Sequence, residues 1–289
     1  MTGWLIVNAF LETEKFQELY RLLLQAAAAH GVTLQQKTTA QLLCPVDSGF
    51  AGFALPDFVL FWDKDVYLAQ RLEAAGVRCF NRAQAIARCD NKALTAIGLL
   101  HAGVRTPRTI LAPKTFENIG YCRTEFLAEA FRQLGAPMVI KEAYGSFGQQ
   151  VWLVETPEQA ETLAARLHGR EFLMQEFIAS SRGRDVRVNV VGGRVAASML
   201  RSNAHDFRSN LTIGGSMRPW QATDAQAEAA LRACRALELD FAGVDVLFGE
   251  ADEPVVCEVN SNPHFKTTLD CTGVDLAACI LDHIVRTLA

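Results

Sequence analysis

The chain has 289 residues, half of them apolar and 21% charged, an ordinary globular composition long enough for more than one packed lobe. A formal charge of −4 gives no basic field, which argues against an electrostatically driven nucleic-acid binder, and 20 Gly with 9 Pro exclude a low-complexity chain. Eight scattered cysteines without a CxxC pair read as buried thiols in a reducing compartment. No apolar run reaches the roughly 18 residues that span a bilayer. Without a basic leader before Trp4-Leu5-Ile6-Val7, the expectation is a soluble cytoplasmic protein.

In chain order, Leu5–Phe10 reads as a buried strand and Glu12–His30 as an amphipathic helix stopped by Gly31. Phe58–Trp62, Val66–Ala75 and Val77–Phe80 continue the alternation as strand, helix and strand. This rhythm predicts a small parallel sheet over residues 1 to about 85. It lacks GxGxxG, so a dinucleotide site gains no support. The next segment reads as helix 92–102, strand 109–112, helix 124–134, strands 138–141 and 151–154, and helix 157–167. Thr156 and Gln159 are spaced as a capping box before that last helix. The final third carries two hairpins. Strands 185–191 and 194–200 turn on Gly192-Gly193, and 244–248 and 255–259 flank Gly249–Pro254. Helices over 225–237 and 274–288 complete the reading, with a strand over 172–178 before the hairpins.

The second hairpin concentrates the chemistry. Pairing Phe248 with Val255 brings Asp245 opposite Glu258, with Asn260 on the same face and Val244, Val246, Cys257 and Val259 on the other. Two carboxylates and an amide oxygen suit Mg²⁺ completed by phosphate oxygens; the bland alternative is a solvated face with two opposed acids. Lys141 ends an apolar strand just before Gly145-Ser146-Phe147-Gly148, where small residues let backbone N–H groups approach phosphate. An edge-strand lysine before a plain hairpin tip reads equally well. Asp185, Arg187 and Asn189 alternate with valines, which fits either a binding face or the wet side of a sheet.

Together with Cys89-Asp90-Asn91-Lys92, Gln175-Glu176-Phe177-Ile178, Asp206-Phe207-Arg208-Ser209-Asn210 and Gly214-Gly215, these segments resemble the ATP-grasp superfamily, and within it the RimK-like α-L-glutamate ligases. The resemblance implies an α/β and α+β ATP-grasp fold behind an N-terminal parallel α/β domain. The limits would be 1–88, a central lid domain 89–173 and a C-terminal domain 174–289 with the metal site. It implies that Lys92 and Lys141 reach the ATP phosphates under a lid of Gly145, Ser146 and Gly148. Glu176, Phe177 and Ile178 would meet adenine, Asp185 the ribose or another part of the nucleotide, and Arg208, Ser209 and Asn210 the phosphates. Asp245, Glu258 and Asn260 would hold magnesium or manganese, as two ions. Arg187 and Arg201 would lie near the reacting carboxylate; a strict two-residue turn pairs 187 with 198 and sends Arg201 to the other face, so either a bulge intervenes or the two arginines do different jobs.

The implied reaction is ATP-dependent carboxylate–amine ligation through an acyl phosphate, adding glutamate to an amine-bearing peptide or small molecule. A ligase for another amino acid and a silent ATP-binding module are the alternatives. Departures fall at Gln149-Gln150 and at Ser261-Asn262-Pro263-His264-Phe265-Lys266, so the acceptor side is the least transferable. His264 reads as structural or as a general base. No nucleic-acid or membrane partner is expected, and apolar helix faces in the first lobe permit a homo-oligomer.

Overall fold

The computed structural model describes residues 1–146 and 148–289, so Phe147 of the expected lid lies outside the described residues. In the first lobe β1 (Thr2–Val7), α1 (Glu14–Ala29), β2 (Thr33–Thr38), β3 (Phe58–Trp62), α2 (Val66–Ala74) and β4 (Arg78–Phe80) follow one another. Their strands form a wholly parallel sheet in the order β2-β1-β3-β4. Every residue of β3 is buried, as a strand covered on both faces must be. β1 ends at Val7 rather than Phe10, so Asn8 sits just beyond its carboxyl end. β2 has no apolar run to betray it, because Thr-Leu-Gln-Gln-Lys-Thr occupies the sheet edge.

α3 (Ala83–Asp90) and α4 (Lys92–His101) lead out of this lobe. Asn91 caps α4 by accepting the N–H groups of Ala93 at 2.9 Å and Leu94 at 3.2 Å, which fixes Lys92 at the helix start. The second lobe contains β5 (Thr109–Leu111), α5 (Glu125–Leu134), β6 (Met138–Glu142), β7 (Val151–Val154), α6 (Pro157–Leu167) and β8 (Phe172–Glu176). Its antiparallel sheet runs β5-β8-β6-β7, and Leu127, Ala130, Leu163 and Ala164 of the two helices pack on it. Thr156 caps α6 through the Gln159 N–H, but the Gln159 side chain accepts from Glu155, so the box is only half formed. Because β8 belongs to this sheet through Glu176, the middle lobe extends past the expected limit at residue 173.

β9 (Arg184–Val191), β10 (Arg194–Ser202), β11 (Ser216–Pro219), α7 (Asp224–Ala236), β12 (Phe241–Phe248), β13 (Pro254–Asn260), α8 (Lys266–Thr272) and α9 (Leu276–Leu288) make the third lobe. The sheet order is β11-β10-β9-β12-β13. Val186, Val188, Val190, Val244 and Val246 pack against Ala230, Ala233 and Cys234 of α7. Gly192 and Gly193 both have positive φ, 55° and 72°, which the tight hairpin turn demands.

Two bulges set the register. Val195 pairs with Val190 and Ala197 with Asn189, leaving Ala196 extra. Asp245 pairs with Glu258 but Val246 with Val256, leaving Cys257 extra. The outer lobes are joined by the Trp62–Phe241 stack, 5.3 Å between centroids. The buried Asn81 amide also donates to the carbonyls of Phe241 and Ser261, both at 2.9 Å. Among the described residues no helix is long and apolar enough to cross a membrane.

Candidate active site

The second and third sheets face each other across a cleft of about 890 Å³, open to solvent. Lys141 enters it from an interior strand, not an edge, and is buried, with Nζ 3.3 Å from Cys257 Sγ. The bulge turns Cys257 into this cleft beside Asp245 and Glu258, not onto the valine face expected from a strict ladder. The Asp245–Glu258 pairing holds, while the other expected pairs from Val246 to Phe248 are displaced by one residue.

Lys92 donates to the Gly145 carbonyl at 2.9 Å and lies 3.7 Å from Glu258. Burial lowers its pKa, and the Glu258 charge opposes that shift. Gly145, Ser146 and Gly148 roof the cleft. Arg208 holds the roof through the Gly148 and Val151 carbonyls, and its other edge grips Asp206 at 2.8 and 2.9 Å. In this state the Arg208 guanidinium serves the lid as well as lining the expected phosphate site. A Cβ on Gly148, where φ is 72°, would meet Asn210 Oδ1 at 2.9 Å, so that contact requires glycine.

Phe177 and Ile178 line the far wall, with Phe177 edge-on to Phe207 at 6.3 Å. The Glu176 carboxylate instead accepts from Arg108 N at 2.8 Å and Arg108 Nε at 2.9 Å. Burial would raise its pKa, but the two bonds from Arg108 outweigh this and lower it. The Glu176 side chain is therefore spent on Arg108, and its backbone N–H also goes to that residue, donating to the Arg108 carbonyl at 3.0 Å.

A four-charge network floors the cleft. The Ala196 bulge brings Arg201 opposite Asp185, on the face of Arg187, reversing the strict-register expectation. Arg201 grips Asp185 through Nε at 2.7 Å and Nη2 at 2.6 Å, and Nη2 also lies 3.0 Å from Asp245 Oδ2. Arg187 takes Asp245 from the other side through Nε and through Nη2 at 3.0 Å. Ser209 Oγ donates to Asp185 at 2.6 Å. Asp185 thus anchors Arg201 instead of offering a free carboxylate to a ribose. Burial pushes the Asp245 carboxyl up, but the two guanidiniums prevail and hold it below the usual carboxylate range. Burial works to lower the Arg201 pKa, yet the two carboxylates outweigh it and raise it above its ordinary value, so the guanidinium stays charged. The polar face of β9 is therefore buried, not a wet face, and its Asn189 bonds Thr268 of α8 at 3.1 Å.

Asp245, Glu258 and Asn260 offer hard oxygen donors. Among the described residues no three His, Cys, Asp or Glu converge as a metal cluster, so the Asn260 amide and a ligand's oxygens would have to complete the shell. Among the described residues Glu258 is ion-paired with Lys92 alone, and the three Arg contacts leave Asp245 Oδ1 a lone pair in hand. The donor set fits a divalent cation on these terms.

A second cleft of about 1500 Å³ adjoins the first. Lys92, Gly145, Ser146, Arg201, Asn210 and Glu258 line both, whereas Arg187 and Asn260 face only the second. Its opposite wall comes from the first lobe, through Asn8, Lys15, Phe16, Tyr20, Asp63 and Lys64, none of which the motifs pick out. Two of them follow the carboxyl ends of β1 and β3, where open parallel sheets bind ligands; that rule could have found them. Lys64 Nζ reaches Ser146 Oγ at 3.4 Å, so the lid touches the first lobe. His264 lines this cleft, and burial, with help from Lys15, pushes its pKa down to about 4, leaving a neutral ring.

Comparison with known proteins agrees with this architecture. The RimK-like ATP-grasp domain matches residues 89–284. The chain is 37% identical to a probable alpha-L-glutamate ligase of Maridesulfovibrio salexigens over 76% of this chain and 71% of that protein. It is 33% identical to beta-citrylglutamate synthase B of Danio rerio, over 78% of this chain and 55% of that one. With N-acetylaspartylglutamate synthase A of Homo sapiens it shares 28% identity over 94% and 72% of the two chains. Among solved structures, a RimK domain ATP-grasp protein of Sphaerobacter thermophilus superposes with a TM-score of 0.75 at 23% identity, covering 98% and 99% of the chains. D-alanine–D-alanine ligase of Bacillus anthracis shares the fold at a TM-score of 0.74 and 17% identity, covering 100% and 97%. A nucleotide-sized cleft floored by carboxylates and arginines, opening into a second cleft, and a family match over both lobes that build it lead to one conclusion: the chain belongs to the RimK-like ATP-grasp family of ATP-dependent carbon–nitrogen ligases.

Proposed function

We propose that this ligase joins glutamate to a carboxylic acid through an acyl phosphate. The supporting observation is the common wall of the two clefts, where Lys92, Ser146, Arg201, Asn210 and Glu258 face both a nucleotide-sized space and a larger one. The names of two relatives, beta-citrylglutamate synthase and N-acetylaspartylglutamate synthase, describe products in which glutamate is acylated on nitrogen. On that reading glutamate supplies the amine and the partner the acid; the amine-bearing acceptor for glutamate expected from the sequence is the second reading, favoured by the relatives named as probable alpha-L-glutamate ligases.

ATP lies in the smaller cleft with adenine against Phe177 and Ile178 and its phosphates toward Lys141 and Lys92. A carboxylate in the larger cleft attacks the γ-phosphorus, the bond to ADP breaks, and an acyl phosphate forms. The glutamate amine, having lost a proton, attacks the acyl carbon and phosphate leaves. Among the described residues no bond uses Arg201 Nη1, and this group sits where charge develops on the acyl oxygen. Rigidity comes from Asp185 and Asp245, which lock the guanidinium before substrate arrives. A divalent cation at Asp245, Glu258 and Asn260, magnesium or manganese and as two ions, supplies neutralising charge on the phosphate oxygens when bound. The lobes divide the work, with 1–88 walling the acid–amine cleft, the middle lobe roofing ATP and the last lobe holding the charges.

Incubation with ATP, Mg²⁺, L-glutamate and a panel of carboxylic acids tests the reading. It expects phosphate release dependent on both substrates and a product heavier than the acid by one glutamyl residue. Phosphate release with a different amino acid, and none with glutamate, would overturn it.

A further inference from the structure

One charged group in the larger cleft has no role in the chemistry above. Asp63 directly follows β3, lines the cleft and is 8% exposed. Its Oδ1 accepts the backbone N–H groups of Lys64 and of Asp65, the latter at 3.1 Å, so the local turn fixes the carboxylate. Its Oδ2 is buried and, among the described residues, has no hydrogen-bond partner; the Asn8 amide lies beside the carboxylate without bonding Oδ2. The neighbouring lysine does not neutralise it, because Lys64 Nζ is taken by Asp90 and Ser146. Burial raises the Asp63 pKa, and Asp63 in turn helps burial push the Tyr20 phenol up to about 12. A buried carboxylate oxygen without a donor is costly unless a ligand supplies one.

Resting on the ligase reading, we propose that Asp63 is the ammonium subsite of the larger cleft, binding the primary ammonium group of a substrate through Oδ2. The ligand chemistry follows from the wall. Asp63 accepts and carries negative charge, Asn8 offers a second polar group, and Phe16, Tyr20 and Trp62 supply apolar surface to the same cleft. A charge-assisted N–H···O bond in such a place strengthens as water is excluded. The nearby lid residues Gly145 and Ser146 line the same space, so a held ammonium group lies in the cleft that opens onto the phosphates. Two sources carry this chemistry, namely the α-ammonium of glutamate and an amine on the acid partner.

Asp63→Asn keeps the shape and removes the charge. The wild-type enzyme is first assayed for hydroxamate formation from the acid with ATP, Mg²⁺ and hydroxylamine, and then for amide formation with L-glutamate. If the wild type makes neither product, the ligase reading fails and the Asp63 variant is not needed to show it. Given wild-type turnover, the expected result for Asp63→Asn is a KM about 30-fold or more higher for one amine-bearing substrate, with the ATP KM unchanged. A raised glutamate KM with normal hydroxamate formation assigns the ammonium to glutamate. A raised KM for an amine-bearing acid, absent for its des-amino analogue, assigns it to the acid. Unchanged KM values for both substrates, or a rise in the ATP KM alone, would overturn the proposal. Thermal denaturation without ligand separates a structural role: Asp63→Asn is expected to melt at or above the wild-type temperature, and a marked fall would count against the subsite.

Discussion

The two clefts are built on different principles. The charged side chains of the smaller one are largely satisfied by one another: Asp185 with Arg201, Asp245 with both arginines, Arg208 with Asp206, Glu176 with Arg108. Among the described residues it leaves one buried atom, Gln175 Oε1, without a partner, whereas the larger one leaves the charged Asp63 Oδ2 and the ring atom His264 Nε2. A site that binds one invariant cosubstrate gains from groups preorganised against each other, whereas the site that selects the variable substrate holds its bonds in reserve. The difference is open to attack from both sides.

The largest effect is expected where the network is cut. Asp245→Asn leaves two buried guanidiniums short of countercharge and should cost about 3–5 kcal/mol in urea unfolding, besides abolishing turnover. An unchanged midpoint would show that the floor is not a mutual charge network. The sign with pH follows: the depressed Asp245 pKa adds stability above the ordinary value of 3.8, and this is lost as pH falls through the lower folded value. Wild-type stability should therefore drop more steeply below pH 3.8 than that of Asp245→Asn.

Glu258→Gln separates catalysis from folding, since among the described residues that carboxylate is ion-paired with Lys92 alone, at 3.7 Å. Turnover should fall about 10²–10³-fold while the unfolding midpoint stays in place. Next in size, Phe177→Ala should raise the ATP KM about 10-fold and leave the glutamate KM alone, as loss of one stacking surface does. If both KM values moved together, the clefts would not be separable. The smallest effect belongs to His264. Its folded pKa near 4 lies below the ordinary 6.5, so protons bind the unfolded chain first and stability declines as pH falls through that window. His264→Gln should flatten the decline between pH 6.5 and 4 in a thermal melt series.

Much of the fold was legible because its strands advertise themselves. Phe58–Trp62 is unbroken apolar sequence, and Val186, Val188 and Val190 alternate with Asp185, Arg187 and Asn189. The Asp245–Glu258 opposition was legible too, but for an imperfect reason. The loop was read one residue too long, with β13 starting at Val255 instead of Pro254, and the Cys257 bulge restored the pair. Bulges leave no compositional mark, since one extra residue changes neither propensity nor pattern until the partner strand is known. Hence Cys257 was assigned to the wrong face, and Arg201 seemed separated from Arg187. Apart from the His264 loop, which the sequence placed beside the acceptor, the wall of the larger cleft was illegible residue by residue. Asn8, Tyr20, Asp63 and His264 belong to four separate segments, and only tertiary packing makes them neighbours.

The bulge at Ala196 carries a consequence for how this chain tolerates sequence change. Replacing Ala196 with another small residue keeps the count of residues between the turn and Arg201, and so keeps the arginine facing Asp185. Deleting it would straighten β10 into an unbroken ladder while Ala197 still meets Asn189 and Arg201 still meets Asp185, because the downstream pairs run one residue ahead of those beside the turn. A single-codon deletion at the bulge should therefore leave the guanidinium on the floor, whereas an insertion beside it would give the strand a second residue to absorb.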